Sequence, residues 1–240
     1  MKKILIPLAV TLVAGMTAQA STIFINENFD PSLSAGANLN AYGPGGDGTS
    51  ANNSVVAGVG VGGTSAWQIN VTAAPGGANG YSYYGAQYQN GGVSGNTSAS
   101  TADYTLSFDA KSVGSVVGSL NIQIQSWTGA GFGGSQTGTL NTAPASPGYG
   151  NDLTLYPTFT HYSLNLGNTS IFMNQGTFNP NGGTWQMAFQ LDGPGAGPGG
   201  WTEELDVDNL QVSMVPEPTI LALSGMGISL TGLLIRRRLA

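Results

Sequence analysis

The sequence predicts an all-β protein, a sandwich of two antiparallel sheets. Three observations carry that expectation. Between the two ends of the chain no stretch sustains a helical apolar period, and Gly or Pro interrupts nearly every window of about fifteen residues. Short runs alternate apolar and polar side chains instead. The segments between those runs are Gly-rich or Asn-Gly, as at Asn90-Gly91 and Asn181-Gly182, which is hairpin chemistry. Such spacing over about 195 residues is that of one β-sandwich domain.

The strands follow in chain order. Thr22 to Asn26 is strand-like. In Ala66 to Thr72, Trp67, Ile69 and Val71 share one face and Gln68 and Asn70 the other. Asp103 to Asp109 turns Tyr104, Leu106 and Phe108 inward. Leu120 to Trp127, Thr160 to Leu166, Thr184 to Leu191 and Leu205 to Ser213 complete the set. Ser32 to Gly63, rich in Gly, Asn and Ala, reads as long loops. Gly129 to Gly150 contains Pro144 and Pro147 and reads as a mobile excursion.

The ends read as addresses rather than as parts of the domain. Lys2 and Lys3 precede an apolar Ile4 to Val13, and Ala18-Gln19-Ala20 fits a small-x-small cleavage site, so residues 1–20 read as a signal peptide. At the other end, Val215-Pro216-Glu217-Pro218-Thr219 opens onto an apolar run, Ile220 to Ile235, that stops at Arg236-Arg237-Arg238. The run is shorter than the ~20 residues that span a bilayer comfortably. Three glycines soften it, and the Arg flank favours the cytoplasmic side. It is expected to form a short membrane helix. The domain proper is then 21–214, and 215–240 is a sorting segment, with an ordinary tail anchor as the plainer alternative.

Removing the ends changes the electrostatics. Residues 21–215 hold eleven of the twelve acidic residues but one basic residue, Lys111, a balance near −10. That excludes nucleic-acid binding through phosphate neutralisation and docking on anionic lipid. It favours neutral ligands and divalent cations. No Cys is present, so the core, a metal or both must hold the fold.

The Pro-Glu-Pro motif, apolar run and Arg cluster, in that order, resemble the PEP-CTERM sorting signal of Gram-negative bacteria that make exopolysaccharide. The resemblance implies signal peptidase and an exosortase-type membrane protease as processing partners. It also implies delivery to the cell envelope, surface or matrix after transient membrane anchoring. Within the domain, four pieces resemble jelly-roll carbohydrate-binding modules of the galactose-binding-like type. They are Asn26-Glu27-Asn28-Phe29-Asp30, Tyr104-Thr105-Leu106-Ser107-Phe108-Asp109-Ala110-Lys111, Phe159-Thr160-His161-Tyr162-Ser163-Leu164 and Leu205-Asp206-Val207-Asp208-Asn209-Leu210-Gln211-Val212. The resemblance implies a jelly roll whose first and last strands lie side by side. It also implies a structural Ca²⁺ there, nominating Asp30 and Asp208, then Asn28 and Glu27. Carboxylates and carbonyls suit that ion. The alternative is that Asp30 caps a turn before Pro31 and Asp208 binds backbone.

A glycan surface is read from alternation alone. Asn121, Gln123, Gln125 and Trp127 share one face of their strand, and Gln186 and Gln190 alternate similarly in theirs. Amides both donate to and accept from hydroxyls, and an indole packs on the C–H face of a pyranose. The plain alternative is that amides are the default polar face of so uncharged a chain. Trp201 and Tyr81, Tyr83, Tyr84 and Tyr88 are further aromatic candidates, with ordinary packing as the alternative.

Several motifs fail. Gly58-Val59-Gly60-Val61-Gly62-Gly63 matches G-x-G-x-x-G, but no helix follows it. His161 is the only His, and no nucleophile elbow is visible. Glu203, Glu204 and Asp206 lie close in sequence and read as solvated acids or metal ligands rather than a glycosidase pair. The expectation is a secreted, non-enzymatic domain that binds neutral glycans or serves as a structural matrix component, with a glycosidase third.

Overall fold

The structure is a computed structural model describing residues 22–34, 37–42, 50–73, 83–90, 100–114, 119–127, 136–142, 153–176, 184–192 and 200–214. All fall within one compact unit, Thr22–Val215. The signal peptide, the Pro-Glu-Pro motif, the apolar run 220–235, the Arg cluster and the turns at 91 and 181–182 lie outside the described residues. Among those described, no helix is long and apolar enough to cross a membrane.

Among the described residues thirteen strands build two antiparallel sheets. They are β1 (Thr22–Glu27), β2 (Ala37–Tyr42), β3 (Ser50–Val56), β4 (Ala66–Ala73), β5 (Tyr83–Asn90), β6 (Tyr104–Gly114) and β7 (Ser119–Trp127). Then come β8 (Gln136–Asn141), β9 (Leu153–Thr154), β10 (Thr160–Asn165), β11 (Met173–Gly176), β12 (Thr184–Asp192) and β13 (Trp201–Met214). One sheet runs β10-β6-β13-β4-β3, with β1 also on β13. The other runs β11-β8-β7-β12-β5-β2, with β9 also on β7.

The long last strand organises the first sheet. Its Trp201–Val207 half pairs with β4 and its Leu210–Met214 half with β1, while β6 follows the opposite edge. Between the halves the β6 register slips at Asp208/Gln211, and Asn209 takes φ 51°. Such a bulge bends a strand and re-aims its side chains. First and last strands do lie side by side, as Glu27 opposite Leu210 shows.

Two loop expectations are corrected. The 32–63 stretch contains β2 and β3, and 129–150 contains β8. These are outlying strands, with β2 and β3 at sheet edges. Their sequences, ANLNAY, SANNSVV and QTGTLN, are small and polar because a strand with few apolar neighbours needs little apolar surface.

The core lies between the inner faces. Tyr104, Leu106, Phe108 and Ala110 of β6 alternate with more exposed residues, and all four are buried. Across the interior, Trp67 of one sheet meets Phe189 of the other edge-on at 5.3 Å, and Phe189 meets Phe108 at 5.1 Å. Trp67 donates its indole N–H to Asn53 Oδ1 at 3.0 Å, so its polar atom is satisfied. Each such ring contributes roughly 1.5–3 kcal/mol by burial.

Candidate functional site

The outer face of the seven-stranded sheet carries the amides. Strand β12 pairs Gln186 with Gln125 of β7 and with Gln89 of β5, and β5 sets Gln89 opposite Asn38 of β2. The side chains join head to tail. Asn40 Nδ2 donates to Gln89 Oε1 at 2.7 Å, and Gln89 Nε2 donates to Gln186 Oε1 at 2.9 Å. Gln186 Nε2 donates to Gln125 Oε1 at 2.9 Å, and Gln125 Nε2 donates to Gln123 Oε1 at 3.1 Å. Five amides on four strands thus form one directional chain. Each amide has a second N–H and a second lone pair beyond the bond it makes in the row, which is the chemistry that pairs with hydroxyls where the side chain is exposed.

Trp127 closes the row. The β7–β12 register runs unbroken to Thr184 opposite Trp127, and the irregularity beside it belongs to the β7–β8 pairing. Alternation therefore leaves Ser126 buried and Trp127 half-buried on the amide side. The predicted residues divide by exposure. Gln123, Gln125 and Trp127 are partly exposed, whereas Asn121, Gln186 and Gln190 are buried. Gln186 is hemmed between the amides of Gln89 and Gln125, so it orders the row instead of offering a surface. The sequence reading missed Asn40 and Gln89. Strand β5 drew notice for its tyrosines, yet Tyr88 points inward and is buried.

The residues nominated for calcium occupy two places. Asp208 and Asp30 meet at one turn. Asp208 Oδ2 accepts from Val61 N–H at 2.9 Å and the Thr64 hydroxyl at 3.0 Å, and its Oδ1 accepts from Asn209 N–H at 2.7 Å. Asp30 Oδ1 accepts from the Ser65 hydroxyl at 3.3 Å. Gly60 makes the approach feasible, because a Cβ there would lie 2.6 Å from Thr64 Oγ1 and 2.8 Å from Asp208 Oδ2, and would overlap the Ser65 carbonyl oxygen. Oxygens therefore converge over Gly60, the right chemistry for a hard cation. Against this, both Asp208 oxygens already face hydrogen donors, and no three His, Cys, Asp or Glu side chains group around a metal position among the described residues.

The second pair has other work. Asn28 Oδ1 accepts from Asp30 N–H at 3.2 Å. Buried Glu27 accepts from Phe29 N–H, Ser34 N–H and the Tyr88 hydroxyl, and so fastens the loop after β1 to the core. Asp206 is likewise committed, with Lys111 Nζ 3.1 Å from its Oδ2 and Gln68 Nε2 donating to its Oδ1. Lys111 also donates to Val59 O and lies over the Phe159 ring at 4.8 Å. His161, exposed on β10, sits 2.9 Å from Asp109 Oδ1, whose other oxygen accepts from Asn209 Nδ2.

Comparison with known proteins bears on the fold. No protein-family profile matches the chain. No curated protein matches it either. Among solved structures, the solution structure of CtCBM11 is similar with a TM-score of 0.50 at 16% identity, covering 84% of this chain and 99% of that one. The family 11 carbohydrate-binding module of the cellulase Lic26A-Cel5E of Clostridium thermocellum gives 0.49 at 16% identity, covering 84% and 98%. The CBM22-1 xylan-binding domain of Xyn10C from Paenibacillus barcinonensis gives 0.47 at 12%, covering 83% and 99%. The likeness to CtCBM11 is one of fold, a jelly-roll β-sandwich.

Proposed function

We propose that this protein is a secreted, non-enzymatic glycan-binding domain that takes neutral polysaccharide on the outer face of its seven-stranded sheet. The observation that carries the reading is the amide chain from Asn40 to Gln123, flanked by Trp127. It presents donors and acceptors without charge, which suits hydroxyls, and it stands on rigid strands rather than on loops. The lack of charge on the amides and the acidity of residues 21–215 both disfavour anionic polymers. The carboxylates Glu203 and Glu204 are sequence neighbours on opposite faces of β13, an arrangement that does not frame a glycosidic bond.

The test is affinity electrophoresis or pull-down of the purified protein with neutral glucans, xylans and acidic polysaccharides. Binding to a neutral polymer that falls at least about tenfold in Trp127→Ala and in Gln123→Ala supports the reading. Unchanged binding in both variants sinks the site. Failure to bind any polysaccharide favours the second reading, a structural matrix protein whose amide row only ties strands together.

Sorting belongs to the same proposal. The signal-peptide pattern and the Pro-Glu-Pro, apolar and Arg segments support export and transient anchoring at the envelope, followed by removal by an exosortase-type protease. Intact-mass measurement of the protein recovered from its native host tests it. A product retaining Arg236 to Arg238 rejects tail cleavage. Calcium at Asp30 and Asp208 is proposed as a structural ion that fixes the first and last strands, supported by the oxygens gathered over Gly60.

A further inference from the structure

A second surface lies on the far side of the sandwich from the amide row. Period two turns Tyr104, Leu106, Phe108 and Ala110 of β6 inward, so Val113 points outward from the six-stranded sheet. Val113 and Tyr156 are two of the three large apolar side chains exposed among the described residues, each 49% exposed. With exposed Pro157 they line one cleft of about 240 Å³, to which buried Leu155 also contributes. Exposed apolar residues scattered singly are ordinary, but two large ones gathered at one cleft form the kind of patch that marks a contact site.

The aromatic ring stands on a constrained backbone. Tyr156 lies between β9 and β10, yet its segment is fastened on both sides. The Ser112 N–H donates to the Tyr156 carbonyl at 2.8 Å, and the Tyr162 hydroxyl donates to the Thr154 carbonyl at 2.6 Å. Leu155 is anchored in the core, and Pro157 fixes its own φ. A half-exposed ring held in this way loses little conformational freedom when it is covered. Two neighbours take no part. The Phe159 ring already has Lys111 Nζ over it at 4.8 Å, and the Glu203 carboxylate is buried and accepts from the Ser112 hydroxyl.

We propose that the Tyr156 strip is a second contact for neutral polysaccharide, so that one domain holds a chain on each outer face and cross-links the two. The inference rests on the amide-face reading above. Charge selects the occupant. Glu204, partly exposed, is the cross-strand neighbour of Val113 on the same face. It is one of eleven carboxylates that face one lysine in residues 21–215. Lys111, also on this face, is engaged with Asp206 and draws no anion. Acidic polymers and a second copy of so acidic a domain are both repelled there. Glu204 accepts hydrogen bonds from hydroxyls, and the tyrosine face packs against sugar C–H groups. The two outer faces of a sandwich point in opposite directions, so an extended chain lying on the amide row does not also lie over Tyr156. Two contacts on one domain then join two chains, and bridging gives an avidity that neither face supplies alone.

Light scattering by the purified protein with soluble neutral glucan and with soluble xylan tests this, at fixed polymer and rising protein. Bridging gives a maximum at intermediate protein and a fall at excess, where every chain is saturated singly. Tyr156→Ala should lose the maximum, while affinity electrophoresis still shows retention by the intact amide face. Val113→Asn, at an equally exposed position, should do the same, so the outcome does not rest on the folding of one variant. Trp127→Ala should lose the maximum from the other side. A maximum that persists in both Tyr156→Ala and Val113→Asn overturns the proposal. Retention by the parent protein without any maximum also overturns it and leaves the amide face as the single site. Retention on no neutral polymer overturns the amide-face reading and this inference with it. Scattering by the protein alone that disappears in Tyr156→Ala would make the strip a self-association surface and likewise overturns the assignment.

Discussion

Lys111 Nζ lies 3.1 Å from Asp206 Oδ2, and this pair joins the single basic side chain of residues 21–215 to a carboxylate that is 1% exposed. The two residues face each other across the β6–β13 register. The lysine is also held by Val59 O and the Phe159 ring, so it ties the turn before β4 and the segment before β10 to the last strand. A domain with so few cations has placed its one lysine where it offsets a buried acid.

Lys111→Met should therefore destabilise the fold far more than an ordinary surface substitution. It strands Asp206 with Gln68 as its remaining partner described here. Breaking a buried pair costs about 3–5 kcal/mol, and the partial exposure of Lys111 places this case at the lower end. Urea denaturation should show it. The double change Lys111→Met with Asp206→Asn should recover much of the loss, because it removes the uncompensated charge. A single variant as stable as the parent rejects the role.

Glu204 gives the acidic side a pH signature. Its carboxyl is held above the ordinary value, first by burial and then by the neighbouring Asp206 charge, with Lys111 pulling the other way. A carboxyl whose folded value is raised binds its proton more tightly when folded. Its contribution is thus neutral below the unfolded value and becomes unfavourable as pH rises through the folded one. Glu204→Gln should raise the melting temperature at pH 7 and leave it unchanged near pH 3. The opposite pattern would show that Glu204 gains a favourable partner when ionised.

Calcium removal is the third test. If the ion joins Asp30 and Asp208, chelation should lower the melting temperature and added Ca²⁺ should restore it, by mass action on the folded state. Asp208→Asn should remove the response. The melting temperature is expected to fall by several degrees on chelation, about what 1 kcal/mol produces in a domain of this size. An identical midpoint with and without chelator leaves the Val61, Thr64 and Asn209 donors as the whole function of Asp208.

Much of the fold was legible because the central strands obey period two. Tyr104, Leu106 and Phe108 could be assigned to the core from alternation, and the pairing of β1 with β13 followed from the resemblance. The outlying strands were not legible. SANNSVV opens on five small or polar residues with no apolar period, and its strand character comes from pairing with β4. The amide rows of β7 and β12 were each visible, yet their adjacency rests on a pairing between Gln125 and Gln186, far apart in sequence. Gln89 completes the chain from a strand whose tyrosines drew attention first. The Asp208/Gln211 bulge was hidden too, since Asp206 and Asp208 keep one regular register opposite Lys111 and Asp109 and the shift comes only after them.

Gln186→Glu tests whether the amide chain holds the sheet face together. The substitution preserves shape and keeps an oxygen where Gln89 Nε2 donates. It removes the N–H that Gln186 gives to Gln125 Oε1, and at neutral pH it sets two acceptors against each other in a buried position. An unmade buried hydrogen bond costs about 1–3 kcal/mol, and burial of the new charge adds to it. The penalty should shrink near pH 4, where the new carboxyl is protonated and can donate to Gln125 again. The parent protein measured at both pH values supplies the baseline. Because burial raises the new carboxyl's folded value, the relative loss must grow as pH rises and not as it falls. A variant equally destabilised at pH 4 and pH 7 would mean that the loss of the Gln186 N–H donor is not what destabilises it.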